Sequence, residues 1–142
     1  MTAETQVGII GAGPAGLTLA LLLQKEGLSP IILESRSQAY IESRTRAGLL
    51  EQNTVTLFND LGVAERLNKE GLVHRGVYLS FDEQRIRVPF DELTDGRCIT
   101  IYGQQEVVKD LVKACLERGI NIIFEAEATD IHNINTKSPS IT

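Results

Sequence analysis

A glycine pattern, Gly11-x-Gly13-x-x-Gly16, stands between two apolar segments near the start of the chain. The segment before it, residues 7–10, is typical of a buried parallel strand, and the leucine-rich run after it predicts a buried helix. Gly11 allows a tight turn, Gly13 lets the backbone approach phosphates, and Gly16 lets the helix lie close to the sheet. The helix N-terminus then offers unpaired N–H groups to an anion. The pattern therefore predicts a dinucleotide pyrophosphate site.

The residues after the glycines complete a βαβ unit with a right-handed crossover. Pro14 fits the first helical turn, and Gly27 fits the end of that helix. A second apolar strand, residues 31–33, leads into Glu34, about twenty residues beyond the glycines, where an acid is expected to bind the adenosine ribose hydroxyls. A glycine pattern alone also occurs in βα turns without a ligand. Together with the strands, the helix and the acid, it favours a dinucleotide site.

The rest of the chain predicts an α/β fold in which a third parallel strand joins the nucleotide sheet. Residues 35–48 carry three arginines without an apolar period, and they predict an ordered or functional loop. The expected helices are residues 49–61, 64–69 and 105–118, and the expected strands are residues 77–81, 85–88, 98–102 and 120–124. The strands at 77–81 and 85–88 form a hairpin with a turn at residues 82–84, and we expect one face of it to be wet.

Charge and cysteine content exclude several kinds of partner. The chain has 19 acidic and 14 basic residues, so it lacks the basic surplus of a nucleic-acid binder. The longest apolar run, residues 17–23, is far shorter than the roughly 20 residues that cross a bilayer. A secretory signal has positive charge before its apolar run, and residues 1–6 carry none. Cys98 and Cys115 show no metal-binding spacing. We expect a cytoplasmic protein without metal, nucleic-acid or membrane partners.

Five segments, found in order along the chain, resemble the N-terminal part of the class A FAD-dependent aromatic hydroxylases of the 4-hydroxybenzoate 3-monooxygenase family. The run Arg44-Thr-Arg-Ala-Gly-Leu-Leu-Glu-Gln52 is far more specific than the glycine pattern. The other segments are residues 11–16, 32–34, 72–74 and 102–107. The resemblance implies a Rossmann-like FAD-binding parallel sheet with an added β-hairpin, as the N-terminal portion of a larger FAD/NAD(P)-binding fold.

The resemblance also assigns roles to individual residues. It implies that FAD contacts the glycine turn, the acid after the second strand, the arginine loop and a glutamine before the last helix. These residues are Gly11, Gly13, Pro14, Ala15, Gly16, Glu34, Arg44, Arg46, Ala47, Gly48 and Gln104. Arg36, Tyr40 and Arg44 would bind the nicotinamide nucleotide, NADPH or NADH. His74 matches a histidine at the outer end of a proton relay, a role that suits an imidazole titrating near neutrality.

The implied activity is hydroxylation of 4-hydroxybenzoate to 3,4-dihydroxybenzoate through a C4a-hydroperoxyflavin, with NAD(P)H and O2 consumed. The implied partners are a small aromatic acid and, in a homodimer, a second copy. The later flavin motifs and the substrate-binding residues have no counterpart here, so we expect residues 1–142 to be one incomplete FAD-binding domain without turnover of its own. The alternatives are a non-enzymatic flavin-fold nucleotide-binding module, an inactive fragment, and an NAD-dependent dehydrogenase domain. Residues 44–52 argue against the dehydrogenase domain.

Overall fold

The computed structural model describes residues 3–142, and its helices and strands follow one another closely along the chain. The strands of the described residues are β1 (Gly8–Ile10), β2 (Ile31–Glu34), β3 (Leu49–Glu51), β4 (Leu72–His74), β5 (Gly76–Phe81), β6 (Gln84–Pro89), β7 (Ile99–Ile101), β8 (Asn121–Phe124), β9 (Ile131–His132) and β10 (Ser140–Ile141). The helices are α1 (Pro14–Lys25), α2 (Gln38–Ser43), α3 (Gln52–Asp60), α4 (Glu65–Glu70), α5 (Phe90–Leu93) and α6 (Gln104–Glu117). The chain divides into two compact units, Met1–Arg44 with Gln105–Thr142, and Thr45–Gln104.

The first unit is built on a parallel sheet with the strand order β1-β2-β8. Ile9 pairs with Ile32, and Ile32 pairs with Ile122, so apolar side chains lie in register across the sheet. The predicted third parallel strand is confirmed, and it lies beside β2. A short antiparallel pair, β9 and β10, follows in a segment whose polar sequence predicted no strand.

Two helices supply most of the buried side chains of this unit. Leu17 and Leu21 of α1 and Val112 and Cys115 of α6 have no exposed surface. The Cys115 thiol lies 3.8 Å from the carbonyl oxygen of Leu17, which joins the two helices directly. The amphipathic pattern predicted for residues 105–118 is confirmed, because its apolar positions are the buried ones.

The ends of α1 also follow the sequence. Pro14 occupies the first helical turn, where a missing N–H costs no hydrogen bond. Gly27 has a φ of +79°, and its N–H donates to the carbonyl of Gln24 after the last turn. In the described part of the chain, no helix is both long and apolar enough to cross a membrane.

The second unit contains an antiparallel sheet with the strand order β3-β7-β4 and the β5–β6 hairpin. Its core is small, and Phe58 of α3, Leu61 and Leu67 of α4 are each at most 5% exposed. Thr100 of the central strand β7 is also buried. Gly62 has a φ of +67° and ends α3 as predicted.

Several elements of the two units differ from the predictions. The helix expected over residues 49–61 begins at Gln52, because Leu49–Glu51 pairs with β7 as a strand. The loop expected over residues 35–48 contains α2, whose start is capped by the Ser37 hydroxyl accepting the Tyr40 N–H at 3.3 Å. The strand β4 and the short helix α5 were not predicted, since neither has an extended apolar pattern.

The hairpin also differs from its prediction in two ways. Its turn consists of Asp82 and Glu83 alone, with φ values of +46° and +59°, so Gln84 already belongs to β6. The prediction of one wet face is wrong, because every residue from 78 to 87 is exposed. On one face, the Arg85 guanidinium carbon lies 4.1 Å from the centroid of the Tyr78 ring.

Candidate functional site

The glycine turn leads directly from β1 into the N-terminus of α1. Gly11 has a φ of +100°, a conformation that glycine adopts without strain, and its N–H donates to the Leu33 carbonyl at 2.7 Å. A Cβ atom at Gly16 would collide with the Gly11 carbonyl oxygen and would lie 3.2 Å from the Ile9 side chain. Gly16 therefore sets the close approach of α1 to β1, as the pattern predicted.

Space over Gly13 is open toward solvent. Apart from Gly13 itself and its two chain neighbours, a Cβ atom placed there would meet no atom of the described residues within 4 Å, and both Gly13 and Ala15 are exposed. Gly13 is the N-cap residue of α1, so no side chain accepts hydrogen bonds from the first N–H groups of the helix. The first helical turn contains no acidic residue. The exposed helix start thus offers backbone N–H groups and the positive end of the helix dipole to an anion.

Glu34 ends β2 beside this turn, with only 8% of its surface exposed. One carboxylate oxygen, Oε2, accepts the Ala12 N–H at 2.8 Å, and the other, Oε1, accepts the Arg36 N–H at 2.8 Å. The Ser35 hydroxyl also donates to Oε1 at 3.4 Å, so Oε2 is the oxygen that can accept a further hydrogen bond. The acid therefore lies next to the glycine turn and has acceptor capacity for a hydroxyl group, which is the chemistry expected of it.

Arg36, Tyr40 and Arg44, the three residues expected to bind the nicotinamide nucleotide, form one exposed cluster. The guanidinium carbons of Arg36 and Arg44 lie 5.5 Å and 6.0 Å from the centroid of the Tyr40 ring. All three residues lie in or beside α2 at four-residue spacing, which places them on one side of the helix. Two cations held near an aromatic ring are suited to binding a phosphate group and a base.

The remaining expected site residues, Arg46, Ala47, Gly48, His74 and Gln104, belong to the second unit. Arg46 and Ala47 are exposed before β3, and Gln104 is the half-buried first residue of α6. His74 is the exposed last residue of β4, where it pairs with Ile99 of β7.

Gly48 has a structural role in addition to its expected cofactor contact. Its carbonyl accepts the Tyr102 N–H at 2.9 Å, which extends the pairing of β3 with β7. A Cβ atom at Gly48 would lie 2.6 Å from the Tyr102 carbonyl oxygen and 2.6 Å from the Gly103 Cα. The backbone is therefore packed too closely here for any side chain, a requirement that the motif alone did not reveal.

Comparison with known proteins identifies the fold family. A family model described as an FAD binding domain matches residues 4–141. The chain belongs to the FAD-binding domain family. This FAD-binding domain is 43% identical over 141 residues to p-hydroxybenzoate hydroxylase of Acinetobacter baylyi, covering 99% of the domain and 35% of that relative. It is 31% identical over 122 residues to 6-methylpretetramide 4-monooxygenase of Streptomyces rimosus, covering 80% of the domain and 27% of that relative.

A solved structure shows the same fold. The p-nitrophenol 4-monooxygenase of Pseudomonas putida superposes on the FAD-binding domain with a TM-score of 0.81 at 19% identity, covering 94% of the domain and 35% of that chain. These comparisons confirm the resemblance to flavin-dependent aromatic hydroxylases. The FAD-binding domain spans about a third of the length of the relatives that it matches over most of its own length.

The two cysteines of the FAD-binding domain differ sharply in environment. Burial raises the pKa of the Cys115 thiol from its ordinary value of 9.0 to about 11, and the nearby Arg118 charge opposes this shift only in part. Cys98 is partly exposed. Cys115 therefore stays a neutral thiol at physiological pH and packs as an apolar side chain.

We expect alkylation of the native C98S variant by iodoacetamide at pH 8 to be at least about 100-fold slower than alkylation of the same variant in denaturant, because the thiolate is the reacting form. Because the pKa of Cys115 is higher in the folded chain than in the unfolded chain, the contribution of this thiol to the free energy of unfolding keeps its full value below about pH 9 and falls as the pH rises toward 11. Mass spectrometry gives the rate, with the C115S variant as the matched control that reacts at Cys98. Equal rates for the native and denatured C98S chain would contradict the assignment.

Proposed function

We propose that the domain binds FAD as the cofactor-binding part of an NAD(P)H-dependent aromatic hydroxylase that converts 4-hydroxybenzoate to 3,4-dihydroxybenzoate. The observation that carries the proposal is the open glycine turn beside a buried carboxylate, Glu34. The 43% identity to p-hydroxybenzoate hydroxylase of Acinetobacter baylyi over 99% of the domain supports the choice of reaction. A cytoplasmic location and a homodimer stay predictions.

The residues present fit an FAD molecule. The pyrophosphate would lie over Gly13, where no side chain fills the space, and would accept hydrogen bonds from the start of α1. Pro14 fixes the first turn of that helix, Ala15 offers only its backbone N–H, and the Glu34 carboxylate would accept the ribose hydroxyls. When bound, FAD supplies the electron transfer and the oxygen chemistry of the reaction.

Further contacts are proposed from the family match. Arg44 and Arg46 would neutralise phosphate charge, Ala47 and Gly48 would present backbone to the flavin, and Gln104 would hydrogen-bond the ribityl region. His74 is proposed as the outer group of a proton relay, and its exposed position at the end of β4 allows exchange of protons with solvent.

Reconstitution tests the cofactor assignment. The purified chain is incubated with FAD, and unbound FAD is removed by gel filtration. We expect protein-bound absorbance at about 450 nm, the band typical of flavin cofactors. A folded chain that stays colourless would reject FAD binding by this chain and favour an inactive fragment or the non-enzymatic module. We expect no 3,4-dihydroxybenzoate from residues 1–142 with FAD and NADPH, and its detection would contradict that expectation.

A charge-removal experiment tests the nicotinamide assignment. We place the 2′-phosphate of NADP⁺ beside Tyr40, because two guanidinium groups lie near its ring. We therefore expect the R36A/R44A double variant to weaken binding of NADP⁺ by about tenfold or more and to weaken binding of NAD⁺ less. Isothermal titration calorimetry measures both affinities. The R85A variant is the matched control, because Arg85 also contacts a tyrosine ring but lies in the hairpin. Equal losses for the two nucleotides would contradict recognition of the 2′-phosphate.

A further inference from the structure

We propose that Glu34 is a positioning residue that fixes the glycine turn before any nucleotide binds, in addition to accepting ribose hydroxyls. The second role rests on the proposed function, whereas the first concerns the protein alone. The carboxylate is shared between two turns, since Oε2 accepts the Ala12 N–H and Oε1 accepts the Arg36 N–H, both at 2.8 Å. The Ser35 hydroxyl lies 3.4 Å from Oε1.

Burial makes the bond to Ala12 important for the turn. Ala12 is 1% exposed and Glu34 is 8% exposed, so water has little access to the Ala12 N–H or to its acceptor. In the unfolded chain this N–H is hydrated by water. If it is buried without an acceptor, it has neither water nor a protein partner, and the native turn becomes less stable. The carboxylate therefore selects the conformation in which the Ala12 N–H points toward β2.

Backbone hydrogen bonds also join the segments that follow the carboxyl ends of these strands. The Gly11 N–H donates to the Leu33 carbonyl at 2.7 Å, one residue before the bond between Ala12 and Glu34. The Glu34 carbonyl accepts the Ala126 N–H at 2.9 Å, and the Arg36 carbonyl accepts the Glu125 N–H at 3.2 Å. Glu34 is thus bonded to the segments that follow β1, β2 and β8.

This arrangement couples the two halves of the nucleotide site. Gly11 has a positive φ, and the N-terminus of α1 that follows has no side-chain cap. Glycine by itself restricts the backbone conformation of the turn only weakly. Holding Ala12 against Glu34 fixes the direction in which the next residues present their backbone to a pyrophosphate. The acceptor for the ribose and the turn for the phosphates are therefore preorganised by one side chain, which reduces the ordering cost of binding.

Amide hydrogen exchange in the ligand-free chain tests the positioning role directly. In the E34Q variant, one of the two N–H groups must face an amide NH2 or lose its acceptor. We expect the Ala12 or the Arg36 amide to exchange about tenfold to hundredfold faster than in the wild type, as measured by NMR. The E42Q variant is the matched control, since Glu42 accepts the Gln38 side chain within α2 and exchange at Ala12 should not change. Unchanged exchange at both amides in E34Q would overturn the proposal.

A ligand cycle separates positioning from ribose binding. Wild type and E34Q are titrated with FAD and with an FAD analogue lacking the 2′ and 3′ hydroxyls of the adenosine ribose. If Glu34 only bound ribose, E34Q would bind the analogue as well as the wild type does. We expect the variant to bind the analogue at least about tenfold more weakly, because the turn itself has changed. Equal affinities would overturn the proposal.

The role of Glu34 in the turn can still be tested if E34Q does not fold or if the chain does not bind FAD. The E34D variant keeps the charge but is one methylene shorter, so it cannot hold both N–H groups and should show the same pattern if E34Q does not fold. Failure of the wild type to bind FAD would reject the proposed function, while the exchange rates in the ligand-free chain would still decide the role of Glu34 in the turn.

Discussion

Replacing Gly13 with alanine is expected to weaken FAD binding by at least about 100-fold while leaving thermal unfolding nearly unchanged. Beyond the two chain neighbours of Gly13, a methyl group at this position meets no atom of the described residues within 4 Å, and the φ of −76° is accessible to alanine. The cost of alanine at a helix N-cap is about 1 kcal/mol or less relative to glycine. The methyl group instead occupies the space through which the pyrophosphate must approach the start of α1.

Two measurements on the same preparation decide this prediction. Quenching of flavin fluorescence gives the dissociation constant, and differential scanning calorimetry gives the unfolding temperature. The outcome that contradicts the assignment is a G13A variant with wild-type affinity, because the phosphates would then not pass over Gly13. A large fall in the unfolding temperature would instead show that the space over Gly13 is filled in solution.

Replacing Gly16 with alanine should have the opposite pattern, with a large loss of stability. The new Cβ atom would collide with the Gly11 carbonyl oxygen, which is backbone and cannot rotate away. Relief requires α1 to move off β1, although Leu17 and Leu21 of that helix are completely buried. We expect a loss of about 3 kcal/mol or more in the free energy of unfolding, at the upper end of overpacking costs, together with loss of FAD binding.

Urea titration followed by circular dichroism measures this loss. The G13A variant is the matched control, because it adds the same methyl group three residues earlier in the same turn, where space is open. Wild-type stability of G16A would mean that the helix can shift without cost, and the close packing of α1 on β1 would then be refuted.

The parts of the fold that could be predicted are those whose signals are local. The βαβ unit depends on glycines, Pro14 and apolar runs at fixed spacing, and each element is found within about one residue of its expected bounds. The strand β3 could not be predicted, since residues 49–51 continue the apolar pattern of a helix. Their partner β7 lies about 50 residues later, and pairing at that distance leaves no local signal.

The candidate site divides in the same way. Glu34 could be identified from its distance to the glycines, but its bonds to Ala12 and Arg36 could not, because every residue except proline has a backbone N–H. The cluster of Arg36 and Arg44 around Tyr40 depends on α2, a helix of six residues. That helix is too short to show a period in the sequence, so the expected loop concealed the shared face.

The three-stranded parallel sheet has consequences for handling the isolated domain. With the order β1-β2-β8, the described strands β1 and β8 are at its two edges, and Ile10 and Ile123 on them are 52% and 37% exposed. Parallel strands normally lie inside a sheet that is covered on both sides, and open edges with apolar side chains act as templates for the strands of other molecules. We therefore expect self-association by strand addition in concentrated preparations, and added positive charge on β1 or β8 should reduce it.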